Sequence, residues 1–227
     1  MMKRFLIIFI TTILFLLAVG NYIFSEYRLE SSFQQTRERL MLIAANAALS
    51  IDVELLGKVP LVQRGEGTPE YQTIAQKLTM IKKINSTLKY VYIMTATDQP
   101  GILQYVVDAD PVPQIITARC ATALPGDKYD ARELPDLLSA YERPAADRKV
   151  TTDAWGTFIS GYAPIQDVFG NTVGILGVDT DATWVGRMQK KINFSGRLAL
   201  GAGILFLLSF IVLIARRRLT SSAIISD

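Results

Sequence analysis

No histidine occurs in the 227 residues of this chain, and there is a single cysteine. The first absence removes the Ser-His and Cys-His nucleophile pairs, the commonest zinc ligand and the phosphoacceptor of a histidine kinase. The second leaves Cys120 with no intramolecular disulfide partner, so its expected role is that of a buried small hydrophobe. A glycine-rich phosphate loop, a Gly-x-Ser-x-Gly elbow and a cysteine cluster are missing as well, as are internal repeats and low-complexity tracts. These gaps predict a protein that is not an enzyme, uses no cofactor and holds no metal.

A net positive charge is missing from the middle of the chain. Lys3 and Arg4 lie near the start, and Arg197, Arg216, Arg217 and Arg218 near the end, which leaves 18 of the 24 basic and 19 of the 21 acidic residues within 27–193. The net charge of +3 and the pI of 8.9 therefore report the two ends. A near-neutral middle argues against a nucleic-acid surface.

Apolar residues are abundant. They make up 50% of the chain, and the mean hydropathy is +0.26. Two stretches carry the excess: 5–24, a charge-free run of 20 residues, and 198–215, a run of 18. Each is near the ~20 residues a helix needs to cross hydrocarbon. Residues 21–26 offer no small-x-small cleavage site, which favours an uncleaved anchor over a signal peptide. The predicted division is 1–26, a cytoplasmic tip and first transmembrane helix; 27–193, an extracytoplasmic domain; 194–216, a second transmembrane helix; and 217–227, a short cytoplasmic tail. Lys3-Arg4 and Arg216-Arg217-Arg218 place both ends in the cytoplasm, opposed weakly by Lys190 and Lys191. The central region, about 170 residues, can bury one core. The tail after Arg218 is too short for an output domain, so output is expected from another chain or from a longer receptor.

Residues 29–56 carry Leu29, Phe33, Leu40, Ile43, Ala47, Ile51 and Leu55 at helical spacing. They predict one long helix of about 40 Å at ~1.5 Å per residue, too long for its own domain to cover. Phe33 and Leu40 are the expected contacts of a homodimer. Thr68-Pro69 starts a second helix, over 70–86. Strands are expected over 89–97 and 102–109, joined by a turn at Asp98-Gln99-Pro100-Gly101. Tyr90, Tyr92 and Met94 should share one face, and Leu103, Tyr105 and Val107 another. Residues 110–125 read as an irregular excursion, 134–141 as a short helix, and 150–154 as a strand running on into the next segment. A helix over 181–194 then feeds the second span.

That next segment, 155–181, organises the rest. Two runs of aromatic and β-branched residues flank Gly170-Asn171, which accepts the positive φ of a tight reversal, so a hairpin is predicted. Pro164 should sit at a strand end. Val173, Ile175, Gly177 and Asp179 point one way; Gly174, Leu176 and Val178 point the other. A carboxylate after a glycine on an apolar strand predicts a lined cavity with Gly177 as its floor.

Trp155-Gly156, Ser160-Gly161-Tyr162-Ala163-Pro164-Ile165, Asp167, Gly170 and Gly174-Ile175-Leu176-Gly177-Val178-Asp179 resemble the closing hairpin of Cache-type sensor domains. These are the PAS-like extracytoplasmic modules of bacterial chemoreceptors, sensor kinases and cyclic-nucleotide enzymes. The resemblance is dense over about 27 residues. It implies an α+β fold, with a PAS-like antiparallel sheet and a long N-terminal helix flanked by two transmembrane helices. It also implies a sensor in the bacterial inner membrane whose excursion of roughly 40 residues after residue 109 covers the ligand, and whose Asp179 position meets the ligand amine in amino-acid-sensing members. The aromatic-rich motif that meets the carboxylate in those members is not matched here.

The candidate ligand-binding residues are Tyr92, Tyr105, Arg119, Trp155, Ser160, Tyr162, Gly177 and Asp179. Aromatic surface mixed with hydroxyls suits a small-molecule pocket, and Arg119 could pair with an anion. Each has a plainer structural alternative: tyrosine core packing, a tryptophan in the core, a solvated arginine, or a strand-end carboxylate bonded to nearby amides. Asp181 is expected to cap the following helix. The leading function is a membrane-anchored sensory module for a small polar ligand, an amino acid, amine or short carboxylate, signalling through the second span to a cytoplasmic partner. The alternatives are a membrane-tethered scaffold that holds a partner protein without a ligand and, more weakly, a hydrolase built on Asp179 and Asp181.

Overall fold

A computed structural model describes residues 2–62, 65–110, 123–153 and 155–223. Its helices are α1 (Met2–Ala48), α2 (Val53–Leu56), α3 (Pro69–Ile84), α4 (Pro135–Ser139) and α5 (Thr183–Ala223). Its strands are β1 (Leu88–Ala96), β2 (Ile102–Asp108), β3 (Lys128–Asp130), β4 (Ala145–Ala146), β5 (Thr151–Asp153), β6 (Gly156–Gln166) and β7 (Thr172–Asp181). The chain divides into two compact units, Met1–Ser32 with Val185–Asp227, and Phe33–Trp184.

In the second unit seven strands form one antiparallel sheet in the order β3-β2-β1-β7-β6-β4, with β5 also on β6. This is an α+β fold with a PAS-like antiparallel sheet. The hairpin β6–β7 runs in register from Phe158 opposite Asp181 to Ile165 opposite Gly174. Its turn closes because Gly170 adopts φ +84° and the Asp167 carboxylate accepts the N–H groups of Phe169 at 2.9 Å and Asn171 at 2.8 Å. Pro164 lies two residues inside β6 rather than at its end. Ser160 turns both its N–H and its C=O towards the segment at Asp147. The two-residue period therefore aims Pro164's missing donor at the same side, beyond the reach of β4.

Helices cover one face of the sheet. Leu40, Ala44, Ala47 and Ala48 of α1 are buried, as are Tyr71, Ile74 and Leu78 of α3. A Cβ on Gly161 would stand 2.5 Å from the backbone of Leu40, so α1 touches β6 through a glycine. Leu40 is thus engaged inside its own domain, which corrects its expected place at a dimer contact. The predicted single helix over 29–56 is also broken. It stops at Ala48, and Asp52 caps the separate turn α2 by accepting the N–H of Leu55 at 3.0 Å. Helix α3 starts as expected, with Thr68 accepting from Tyr71 N and Pro69 in the first turn.

On the other face lie Tyr92, Met94, Leu103, Tyr105, Tyr162 and Ile175, with Leu137 of α4 and Ala140 just after that helix. Val107 does not join Leu103 and Tyr105 there. The register shifts between Ile93 and Met94, so Tyr105 opposes Met94 while Val107 opposes Ile93 and turns to the helical face. Residues 150–154 do not run on into the hairpin either: β5 folds back antiparallel on β6, with Asp153 opposite Gly156. The Asp153 carboxylate makes that reversal by accepting the N–H groups of Trp155 at 2.8 Å and Gly156 at 3.1 Å.

Two helices are long and apolar enough to cross a membrane, Leu6–Ala48 and Thr183–Val212, and the first unit takes the parts of them within Met1–Ser32 and Val185–Asp227. Leu6, Phe9, Leu16, Leu17, Leu205 and Ile211 are exposed. Within this unit Gly203 receives the edge of Phe15 and Gly196 the edge of Tyr22, a Cβ on either being 3.2 Å away. Both pairs repeat at seven residues, the heptad spacing of a coiled-coil-like helix–helix seam. Phe15 also stacks on Phe206 at 5.9 Å, and Asn21 donates to Ser195 at 3.2 Å.

Candidate ligand site

The sheet face without α1 and α3 gathers polar groups that a core would exclude. Strand alternation puts Ile175, Gly177 and Asp179 of β7 beside Tyr90, Tyr92 and Met94 of β1 on one side, and beside Ser160 and Tyr162 of β6 on the other. Asp179 is buried there, and Tyr92 donates its hydroxyl to Asp179 Oδ1 at 3.1 Å. Two strands away a second buried carboxylate, Asp147, accepts the Tyr162 hydroxyl at 3.0 Å and the Ser160 N–H at 3.1 Å.

Rings extend from Asp179 across the face. Tyr92 meets Tyr105 edge-on at 5.6 Å, Tyr105 meets Tyr129 at 6.1 Å, and Tyr129 meets Trp155 at 6.3 Å. Tyr129 comes from the outermost strand, β3, and Trp155 from the turn between β5 and β6, so the rings arch over the strands between. Trp155 is the most open of these, 37% exposed.

Burial dominates the electrostatics. It pushes the Asp179 carboxyl up to about 8; Ser160 and Tyr92 pull it partway back, while Asp147 and Asp153 raise it further. Burial likewise raises Asp147 to about 6 and Asp108, at the end of β2, to about 7. The phenols of Tyr92, Tyr105 and Tyr162 are raised by burial and by neighbouring carboxylates, so they remain neutral donors. Ion pairs among the described residues include Lys82–Asp110, Arg132–Asp130 and Arg148–Asp136. Neither Asp147 nor Asp179 has a cationic partner among the described residues. A carboxylate buried without a cation is costly, and it can be relieved by a proton or by a cationic ligand. No group of three or more His, Cys, Asp or Glu side chains is placed to hold a metal among the described residues.

Six of the eight predicted residues, Tyr92, Tyr105, Ser160, Tyr162, Gly177 and Asp179, fall on this one face, and Trp155 sits at its outer end. Arg119 lies outside the described residues, as does the first part of the expected covering segment, at 111–122. Gly177 is not the floor of an open space: a Cβ there would lie 2.4 Å from the Tyr92 ring, which occupies the volume. Asp181 leaves the group and accepts the N–H of Thr183 at 3.0 Å where α5 begins. Asp147 and Tyr129 were not anticipated. Strands β4 and β3 are two and three residues long, too short to show alternation. The one available signal was an aspartate just after Pro144 and two alanines.

Neither a protein-family profile nor any curated protein matches this sequence. Among solved structures, the chain is similar to the ligand-binding domain of the Campylobacter jejuni chemoreceptor Tlp3 in complex with L-valine. That match has a TM-score of 0.47 and 14% identity, covering 79% of this chain and 66% of that chain. The Tlp3 sensory domain with isoleucine bound gives 0.45 and 12% over the same shares. The ligand-binding domain of the Pseudomonas aeruginosa PAO1 amino acid chemoreceptor PctC in complex with GABA gives 0.45 and 17%, covering 78% of this chain and 66% of that one. The chain thus spans just under two thirds of the length of these domains.

Proposed function

We propose that this chain is a membrane-anchored sensory module, not an enzyme, that binds a small ligand carrying an ammonium group against Asp179. The observation that carries this reading is a carboxyl that burial raises to about 8, bonded to Tyr92 and lacking a cationic partner among the described residues. A ligand ammonium would supply the missing charge, and the Tyr92, Tyr105 and Tyr162 rings would supply apolar and cation–π contact. The proposed topology is two-pass, with both ends cytoplasmic, supported by Lys3-Arg4 and Arg216-Arg217-Arg218. Ligand binding would bias two arrangements of a homodimer, and α5 would carry the shift to a cytoplasmic partner. L-valine, isoleucine and GABA, the ligands of the solved domains named above, are the first probes.

The test is calorimetric titration of the full chain in nanodiscs with these probes and with the corresponding amines. A charge-assisted contact contributes about 1.5–3 kcal/mol, so Asp179→Asn should weaken a binding probe roughly tenfold to a hundredfold. Equal binding by wild type and variant would make Asp179 structural. The Tyr92 ring over Gly177 favours one competing reading, a scaffold whose filled face needs no ligand. Failure of every small-molecule probe, together with capture of a partner protein by the sheet unit, would support it.

A further inference from the structure

Strand β1 contains a residue out of step with its neighbour. Leu88 opposes Thr180 and Tyr90 opposes Asp179, so two positions on β1 match one step on β7, and Lys89 between them has no partner. A bulge of this kind breaks side-chain alternation and re-aims the extra residue. The effect here is visible in what Lys89 touches. Its Nζ stands 5.5 Å from the centre of the Tyr90 ring and 5.0 Å from that of Phe158. Those two rings meet edge-on at 5.5 Å. By register both belong to the Asp179 face: Tyr90 lies opposite Asp179, and Phe158 is one side-chain period before Ser160, which also opposes Asp179.

The ammonium is therefore held over aromatic faces beside the candidate site. Lys82 also lies over the Tyr90 ring, at 5.6 Å, but it is paired with Asp110. Lys89 has no carboxylate partner among the described residues, and residues 111–122 contain no aspartate or glutamate. A cation resting on two rings keeps attraction to spare for an anion, since the rings carry no net charge. Its flexible stem allows it to follow a small group.

We infer that Lys89 is a ligand-binding residue that takes the anionic group of a zwitterionic ligand whose ammonium is on Asp179. This rests on the amine-binding reading of Asp179 and extends it. The bulge puts a positive side chain, Lys89, next to Tyr90, whose partner across the strands is the acidic Asp179. That pair selects a ligand bearing both charges over a simple amine.

The experiment is titration of the full chain in nanodiscs with the twenty standard L-amino acids and GABA, each compared with the amine left on removing its carboxyl group. Wild type should bind at least one amino acid ten times or more tightly than its matched amine. Lys89→Met, which keeps an apolar stem over the rings, should weaken that amino acid about tenfold or more and leave the amine unchanged, erasing the ratio. Lys89→Arg should retain most of it. The inference is overturned if Lys89→Met keeps the ratio, or if it weakens amino acid and amine alike, as loss of packing would. Should Lys89→Met fail to fold, the wild-type ratio and the Lys89→Arg variant still decide. Amines binding wild type as tightly as their amino acids would end this inference and leave the Asp179 reading standing. Absence of binding by every amino acid and amine would end both.

Discussion

In the helical unit Leu6, Phe9, Leu16 and Leu17 stand more than half exposed, whereas in the sheet unit Ile93, Val107, Ile159 and Leu176 are buried. The polar groups show the reverse pattern. Asp108, Asp147, Ser160 and Asp179 are buried in the sheet unit, where hydroxyls and amides bond them. The two units share one packing device. Gly196 and Gly203 receive the rings of Tyr22 and Phe15, and Gly177 lies under the ring of Tyr92. What differs is the surrounding medium. Where lipid is the expected solvent, apolar burial gives helices little reason to associate, and close approach at small residues has to do so. In water, burial drives the sheet together, and the fold can then hold a few costly carboxyls at a site.

The largest effect should come from a glycine that meets backbone rather than a ring. Gly161→Leu would drive Cβ against the main chain of Leu40, which cannot rotate away. The sheet unit should lose about 3 kcal/mol or more, read as a drop in its denaturant midpoint while helical content in the micelle-embedded unit persists. A midpoint unchanged within error would show that α1 does not bear on β6 as described.

Next in size is the pH dependence created by the buried carboxyls. An unfolded aspartate releases its proton near the ordinary value of 3.8, whereas Asp179 holds its proton to about 8. Between these values the folded state binds the extra proton, so its stability is highest at the acid end and falls as pH rises through the window. It levels off above about 8. The slope per such group is at most ~1.4 kcal/mol per pH unit. Asp147 and Asp108 contribute only up to about 6 and about 7, so between pH 7 and 8 the slope belongs to Asp179. Asp179→Asn should flatten that interval in ligand-free protein. An unchanged slope there would mean that Asp179 titrates normally. The helical unit, with no buried carboxyl among its described residues, should show no matching dependence.

The smallest effect belongs to the seam. Gly203→Ala places a methyl group 3.2 Å from the edge of Phe15, a ring that can shift. The change should cost less than about 1 kcal/mol in thermal unfolding in micelles, and Gly203→Leu about 1–3 kcal/mol. If Gly203→Leu is as harmless as Gly203→Ala, the two helices do not pack through this seam.

The features legible in the sequence share a local cause. The hairpin was readable because Gly170 and Asn171 sit between two strand-like runs, and α3 because Thr68 and Pro69 announce its start. The candidate residues Tyr92, Ser160, Tyr162 and Asp179 were readable because alternation assigns them a face. The misses came from pairings. Val107 changes face through one extra residue in β2. Lys89 does the same in β1, and α1 stops at Ala48 because Asp52 caps a new turn. Leu40 reads equally well as a dimer contact or a core contact until Gly161 is placed beneath it.

By itself, then, the sequence determined two apolar runs long enough for membrane spans, a mixed fold between them and a carboxylate on an apolar strand. All of these follow from residue spacing within a few turns or one hairpin. The tertiary structure alone decided that Asp147 shares the Asp179 face, that Tyr129 and Trp155 meet across it, that the Tyr92 ring fills the space over Gly177, and that Lys89 rests on Tyr90 and Phe158. Each of these depends on strand register between segments tens of residues apart. Register is set by which faces can be buried together, and a single bulged residue resets it without leaving a local mark.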